Sequence, residues 1–248
     1  MNFLIYFILL ALLAEILGTI GGFGSSLFFV PIASFFFDFH SVLGITALFH
    51  LSSNISKIAL FREGVDWKLI RNIGIPAVIF VILGAFLSRY IDNTFLEISL
   101  AIFLIVISTV LLIFKNLQLK PTITNSVSGG VVSGITAGLL GTGGAIRGLT
   151  LAAFNLKKEV FIATSAVIDL GIDLSRSVVY FSNGYIHKDD LYLIPILLVV
   201  SVIGTFTGKQ MLNLFTQQQF KLTVLILILI VGLITLTKQI WPITPLLT

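Results

Sequence analysis

Two glycine-rich breaks, each inside a long apolar stretch, constrain the fold of this chain most. The sequence GTIGGFG at residues 18–24 interrupts an apolar run over 2–37, and GLLGTGG at residues 138–144 interrupts a second run over 125–155. Glycine is unfavourable inside a helix and permits backbone angles that other residues avoid. Each run therefore predicts two helical arms joined at a bend.

The composition places these bends in a membrane. The sequence is 57% hydrophobic and 10% charged, whereas charged residues make up about 25% of an average soluble domain. A transmembrane helix needs about 20 mostly apolar residues. On that rule the chain divides into about eight hydrophobic units, over residues 2–37, 41–61, 70–88, 95–114, 125–155, 160–181, 191–207 and 220–237. We predict an all-α polytopic protein that crosses the cytoplasmic membrane several times.

Composition also excludes several kinds of partner and cofactor. The net charge of +4 comes from lysines and arginines between the apolar units, where such residues report membrane topology rather than nucleic-acid binding. Because the chain has no cysteine, it has neither disulfides nor thiolate metal sites. We expect no cofactor, no metal and no nucleic acid. The expected partners are the lipid bilayer and a small anionic substrate, and the oligomeric state stays open, with a homodimer as one alternative.

The two breaks belong to an internal repeat. Gly18, Gly21 and Gly24 of the first break match Gly138, Gly141 and Gly144 of the second at a spacing of 120 residues. Two further glycines of the first half, Gly64 and Gly84, match Gly184 and Gly204 at the same spacing. With a one-residue adjustment, HLSSNISK at 50–57 aligns with DLGIDLSR at 169–176. Repeats of this kind indicate a duplicated architecture. We therefore predict a first membrane repeat over 1–115, a linker over 116–124 and a second repeat over 125–248.

Loop charges indicate that the two repeats are inverted, because Lys and Arg collect in cytoplasmic loops. If each broken unit crosses the membrane once, the basic residues divide seven against five. If each enters and returns to the same side, nine (Arg62, Lys68, Arg71, Lys115, Lys120, Lys157, Lys158, Lys209, Lys221) face three (Arg89, Lys188, Lys238). The second arrangement predicts two inverted repeats whose units one and five are V-shaped helical hairpins. Loop charges alone do not distinguish a V from a full hairpin.

The bends are candidate binding sites for an anion. Irregular backbone at membrane depth must be buried in protein or line a wet cavity, and the start of a helix presents N–H groups and a positive dipole end. Nearby hydroxyl groups and one arginine add further donors. The predicted substrate-binding residues are Gly24, Ser25, Ser26, Thr142, Gly143, Gly144 and Arg147. The alternative is that these glycines serve only close helix packing.

Ionisable and polar groups within the apolar units are the candidates for proton coupling or gating, because charges in a membrane interior are costly. They are Glu15, His50, Asn54, Lys57, Asp169, Asp173 and Arg176. Asp173 and Arg176 are close enough in a helix to form an ion pair. Asp169 is then the better candidate for proton exchange.

Each of the other charged candidates has a structural alternative. Arg147 could bind the substrate or form an ion pair with Asp169 or Asp173. His50 could carry a proton or be a hydrogen-bonded structural group. Lys57, near the end of its unit, is expected to extend toward the membrane surface. Glu15 could lie in the transport pathway or pair with a basic residue.

Several short motifs carry a family resemblance. They are GTIGGFG at 18–24 with LFFVP at 27–31, GLLGTGG at 138–144, ATSA at 163–166 and GVDW at 64–67. Over nearly its whole length the chain resembles the sulfite exporter TauE/SafE family of eight-segment membrane proteins. The resemblance implies movement of sulfite, sulfoacetate or related organosulfonates, with the glycine clusters facing the substrate. Arg147 and the turn GYIHK at 184–188 depart from the family pattern, and the arginine implies an individual substrate preference.

These observations predict a secondary transporter that exports a small sulfur-containing anion by alternating access, with proton coupling left open. The alternatives are an anion channel, or a carrier of a carboxylate or another non-sulfur anion. An enzyme is not expected. The sequence has neither HExxH nor GxSxG, and His40, His50 and His187 are scattered along it.

Overall fold

The computed structural model describes residues 2–22, 24–114, 119–212 and 217–240. Within these ranges the chain is all-helical, with no strand. Its ten α-helices are α1 (Asn2–Gly21), α2 (Ser26–Ala33), α3 (Phe39–Leu60), α4 (Trp67–Ser88), α5 (Asn93–Ile113), α6 (Ile123–Leu140), α7 (Gly144–Ala152), α8 (Lys158–Ser182), α9 (Leu193–Met211) and α10 (Gln217–Ile240). The prediction of an all-α fold is confirmed. Of the predicted linker over 116–124, residues 116–118 lie outside the described ranges.

Several helices begin at polar residues that the sequence supplies for that purpose. The Asp38 carboxylate accepts a hydrogen bond from the backbone N–H of Ser41, and Asp66 and Asp92 cap α4 and α5 in the same way. Such caps satisfy N–H groups that have no partner within the helix. Residues 70–74 of α4 form a π-helical turn just before Pro76, where proline removes a backbone donor and disturbs the preceding turn.

Six of the helices are long and apolar enough to cross a membrane: α1, α4, α5, α6, α9 and α10. Their outward faces carry large exposed apolar side chains such as Leu9, Ile79 and Ile203, as expected of surfaces that contact lipid. The two remaining long helices, α3 and α8, are more polar and contact each other. The short helices α2 and α7 follow the two glycine breaks. At about 1.5 Å per residue, neither approaches the roughly 30 Å thickness of a hydrocarbon core.

Helix contacts repeat when the first five helices are exchanged with the last five. The pair α4 and α6 corresponds to α9 and α1, and the pair α3 and α9 corresponds to α8 and α4. The pairs α3 with α8 and α5 with α10 map onto themselves. The short helices follow the same rule, since α2 packs on α1 as α7 packs on α6. The central pair is therefore α3 and α8, the two helices with polar stripes.

Residue contacts also give the direction of each helix. Helices α1, α3 and α9 run in one direction, and α4, α6 and α8 run in the opposite direction. The contacts that define this are Glu15 with Gly204, Thr19 with Gly208, Ser52 with Ser201, Leu60 with Lys209, Asn54 with Asp173, Gly44 with Tyr185, Ile168 with Gly74, Val78 with Gly171, Ile73 with Gly130 and Val81 with Gly138. Helix α2 returns along α1, because Ser25 contacts Glu15 while Phe37 contacts Phe7.

Candidate functional site

At the first break, between α1 and α2, two glycines have a left-handed backbone conformation. Gly22 and Gly24 have φ angles of 67° and 86°, a backbone conformation that glycine adopts without the steric cost other residues incur. The chain then enters α2 at Ser26. Ser25 occupies the capping position, but its hydroxyl does not cap the helix. It donates instead to the Glu15 carboxylate, at 2.6 Å.

Glu15 is the centre of the first break. It is fully buried on α1, and its carboxylate accepts hydrogen bonds from four hydroxyl groups, those of Thr19, Ser25, Ser53 and Thr205, at 2.6 to 3.1 Å. The Lys57 ammonium lies 2.9 Å from the same carboxylate. The donors come from α1, α3, α9 and the bend itself. This group therefore joins the first break to two neighbouring helices.

The geometry of this break bears on the alternatives for Lys57 and His50. Lys57 does not extend to the membrane surface, as its position near the helix end indicated; it is buried, because Glu15 lies on the adjacent helix. His50 is a hydrogen-bonded group, with Nε2 3.0 Å from the Ser25 hydroxyl. Since that hydroxyl donates to Glu15, the three side chains form a continuous hydrogen-bonded chain from α3 to α1.

The second break has the same frame but a different charge. Helix α6 ends at Leu140, Gly141 follows with a φ angle of 73°, and α7 begins at Gly144. One turn later, Arg147 projects into the protein and is only 2% exposed. Its Nη1 and Nη2 groups both contact the Asp169 carboxylate, and its Nε group donates to the Ser165 hydroxyl at 3.1 Å. Of the alternatives for Arg147, the ion pair with Asp169 is present.

A second ion pair lies beside the first. On α8, Arg176 Nη2 lies 2.6 Å from Asp173 Oδ1. This is the ion pair that their spacing in the helix allowed. Arg176 also donates to the backbone carbonyls of Ala137 and Gly141, at 3.1 and 2.8 Å. These carbonyls belong to the end of α6, where backbone acceptors lack helical partners. Asn54 on α3 donates to Asp173 at 2.7 Å and so joins the two central helices.

The two breaks meet each other. The Thr142 hydroxyl donates to the Ser26 hydroxyl at 3.1 Å, across 116 residues of sequence. Gly24 faces the same region, since a β-carbon at this position would lie 3.6 Å from Arg147 Nη2 and 3.8 Å from Ser26 Oγ. Of the predicted substrate-binding residues, Gly24, Ser26, Thr142 and Arg147 thus come together. Ser25 is turned toward Glu15.

Gly143 and Gly144 have different surroundings. A β-carbon on Gly143 would clash with the backbone of Ser133 on α6, so the absence of a side chain there serves the close packing of α7 on α6. This is the packing alternative for that glycine. Gly144 begins α7, and no side chain caps this helix start. The starts of α2 and α7 are alike in this respect.

Sequence reasoning missed several polar residues of the site. Ser53, Thr205, Thr19 and Ser165 contact the charged groups, but isolated Ser and Thr residues are common in membrane helices and give no signal of their own. Thr46, one turn before His50, is fully buried, and its hydroxyl has no hydrogen-bond partner among the described residues. The polar stripe on α3 thus begins one turn earlier than the sequence indicated.

Charged and hydroxyl groups of the two breaks form an arrangement that could bind a small ion. Within the described ranges, no three His, Cys, Asp or Glu side chains are grouped as a metal site would require. The charged groups are buried donors and acceptors at two helix starts, where anions bind favourably. The pairs of Glu15 with Lys57 and of Asp169 with Arg147 each join two helices, so a change in either pair changes a helix contact as well.

Comparisons with known proteins give a family and one relative. Residues 7–235 match the family model described as sulfite exporter TauE/SafE. The chain is 28% identical over 222 residues to the probable membrane transporter protein MJ0441 of Methanocaldococcus jannaschii, and the aligned part covers 82% of each protein. No solved structure matches the chain.

Proposed function

The chain belongs to the sulfite exporter TauE/SafE family, and from this membership and the buried Arg147 we propose that it is a secondary transporter of a small sulfur-containing anion. The substrate class is sulfite, sulfoacetate or another organosulfonate, and the direction is export across the cytoplasmic membrane. Family membership supports membrane transport rather than enzymatic activity. The sulfur-containing substrate class follows from the family, and the chemistry of the two breaks supports an oxyanion.

The observation that carries this proposal is the position of Arg147 where the two breaks meet. A guanidinium is a planar fork of N–H donors that matches the oxygens of an oxyanion. Thr142 and Ser26 add hydroxyl groups beside it, and the uncapped starts of α2 and α7 add backbone N–H groups. An anion between the breaks would take the place that Asp169 now occupies on Arg147.

Alternating access is the mechanism that the architecture supports. Matched helices of the two halves run in opposite directions: α1 against α6, α3 against α8 and α4 against α9. Together with the nine-to-three division of basic residues, this supports inverted repeats whose V-shaped hairpins enter from opposite faces, with both chain ends outside. Inverted repeats with interrupted helices are a recurring design of secondary transporters, with the substrate at the repeat interface.

Binding tests the proposed site. We expect sulfite or a sulfonate to raise the thermal unfolding temperature of the purified protein, because a ligand that binds only the folded state stabilises it. Carboxylates of similar size are the comparison set. Arg147→Ala should abolish the shift, and Arg147→Lys, which keeps the charge but loses the fork, should weaken binding by about tenfold or more. Arg62→Ala is the matched control, since Arg62 is exposed, follows the end of α3 and bonds only to the Ala59 carbonyl of that helix among the contacts described.

Transport tests the mechanism. In proteoliposomes held at zero membrane potential by valinomycin and equal potassium on both sides, a carrier should accumulate labelled sulfite against its gradient when unlabelled sulfite is loaded inside, whereas a channel cannot do this. Downhill flux without such exchange would contradict a carrier and indicate an anion channel. Retained anion binding in Arg147→Ala would refute the proposed site, and a larger thermal shift with carboxylates would move the substrate class to carboxylates.

A further inference from the structure

Three ion pairs lie at the breaks, and each consists of one acidic and one basic side chain. They are Glu15 with Lys57, Asp169 with Arg147 and Asp173 with Arg176. With His50 as a neutral imidazole, the cluster has no net charge. A monoanion added to it brings one uncompensated negative charge into a region where unpaired charges are strongly disfavoured. Binding an anion therefore requires a compensating positive charge.

The anion also needs a donor that is already in use. Arg147 directs both terminal nitrogens at Asp169 and its Nε group at Ser165. An oxyanion that takes the terminal nitrogens must displace the Asp169 carboxylate, which then loses its cationic partner. Protonation of Asp169 removes this conflict and restores neutrality in a single step.

Asp169 is the most accessible of the six charged groups. Its side chain is 17% exposed, whereas those of Arg147, Asp173 and Arg176 are each 2% exposed and Lys57 is 7% exposed. Glu15 is fully buried and bonded to five donors. A proton arriving from water therefore reaches Asp169 more readily than the other carboxylates.

Charged and titratable groups surround the Asp169 carboxylate from several helices. Arg147 faces it from α7 and Lys57 from α3, while Arg176 and Asp173 lie on its own helix. His50 lies on α3 beside the same cluster. Helices α4 and α6 also pack on α8; α6 has no titratable residue, and those of α4, Lys68 and Arg71, are exposed at its start.

We propose that Asp169 takes up a proton each time a monoanion binds to Arg147, so that anion and proton cross together and transport of a monoanion is electroneutral. This inference rests on the proposed function and adds the coupling ion and its binding group. The balance is simple. The ionised Asp169 carboxylate and one proton give the neutral acid, and the anion takes its place as the partner of Arg147.

Calorimetry measures the proton directly. Sulfite, methanesulfonate and sulfoacetate are each titrated into the full-length protein near neutral pH, in two buffers whose ionisation enthalpies differ. Methanesulfonate is the most informative probe, because it has no titratable group in this range. The difference in heat between the buffers should correspond to uptake of about one proton per bound methanesulfonate, the number that restores neutrality.

Variants assign the proton to Asp169. Asp169→Asn should still bind methanesulfonate, with proton uptake near zero, because the amide cannot accept the proton and leaves Arg147 free. Asp169→Glu should restore the uptake. Glu97→Gln is the matched control: Glu97 is also a buried acid in an ion pair, with Lys238, but lies on α5 outside the breaks, and its removal should leave the uptake unchanged.

The outcomes separate this inference from the proposed function. Anion binding without proton uptake in the wild type, or uptake that persists in Asp169→Asn, would overturn the inference and leave the anion site intact. Binding of none of the three probes would overturn the proposed function, and the inference with it. As a second measurement, methanesulfonate uptake into proteoliposomes should be insensitive to a potassium diffusion potential and should acidify the lumen.

Discussion

The two breaks share a glycine frame but are built around opposite charges. At the first, a carboxylate on the long helix before the bend, Glu15, accepts bonds from several helices and is fully buried. At the second, a guanidinium on the short helix after the bend, Arg147, is bonded to a partner that is partly exposed. The first break is thus held by hydrogen bonds from several helices, whereas our proposal requires that Arg147 at the second break exchange its partner.

Removal of the Glu15 charge should have the largest effect on stability. In Glu15→Gln, the buried Lys57 ammonium loses its ion pair, and an uncompensated buried charge costs about 3 to 5 kcal/mol. The thermal unfolding temperature in detergent should fall accordingly. Glu97→Gln is the control with a smaller expected loss, because the Lys238 side chain is 27% exposed and can reach water. Equal losses in the two variants would contradict a rigid first break.

The matching change at the second break should cost less. Arg147→Gln leaves Asp169 without its cation, but Asp169 is partly exposed and can take up a proton, so we expect a loss of about 1 to 3 kcal/mol. The same variant should lose anion binding. Asp169→Asn in the Arg147→Gln background should recover part of the stability, measured as a coupling energy in a double-mutant cycle. A loss as large as that of Glu15→Gln would remove the asymmetry between the breaks.

The sequence was informative about the frame of the molecule. Apolar length predicted the helical units, glycine clusters predicted both bends, and helical spacing predicted the pair of Asp173 and Arg176. The partners of Glu15 were not predictable in the same way. Thr205 is 190 residues away along the chain, and no periodic pattern relates the two. The burial of Lys57 also depends on a neighbouring helix, whereas its position near a helix end favoured the surface.

The hydroxyl pair that connects the breaks should contribute less than either charged centre. Ser26→Ala and Thr142→Val each remove one side of the hydrogen bond between the two halves, and a bond of this kind contributes about 0.5 to 1.5 kcal/mol. A double-mutant cycle on unfolding free energy should give a coupling in this range. Ser182→Ala, which removes an exposed hydroxyl bonded within its own helix, should show no coupling with Thr142→Val. Absence of coupling between Ser26 and Thr142 would mean that the breaks are not held together by this bond.

Thr46 should give the smallest change in stability and the clearest test of what the polar stripe is for. Its hydroxyl is buried without a partner among the described residues, and an unsatisfied polar group costs free energy that an apolar group of the same shape does not. Thr46→Val should therefore leave the unfolding temperature unchanged or raise it. The corresponding gain in the free energy of unfolding should be at most about 1 kcal/mol. Ser165, which aligns with Thr46 in the other repeat, bonds to Arg147, so Ser165→Ala should be destabilising instead. Lower sulfite transport by Thr46→Val at unchanged stability would mean that the Thr46 hydroxyl serves the substrate. Lower stability would mean that the hydroxyl has a structural partner and that the polar stripe on α3 ends at His50.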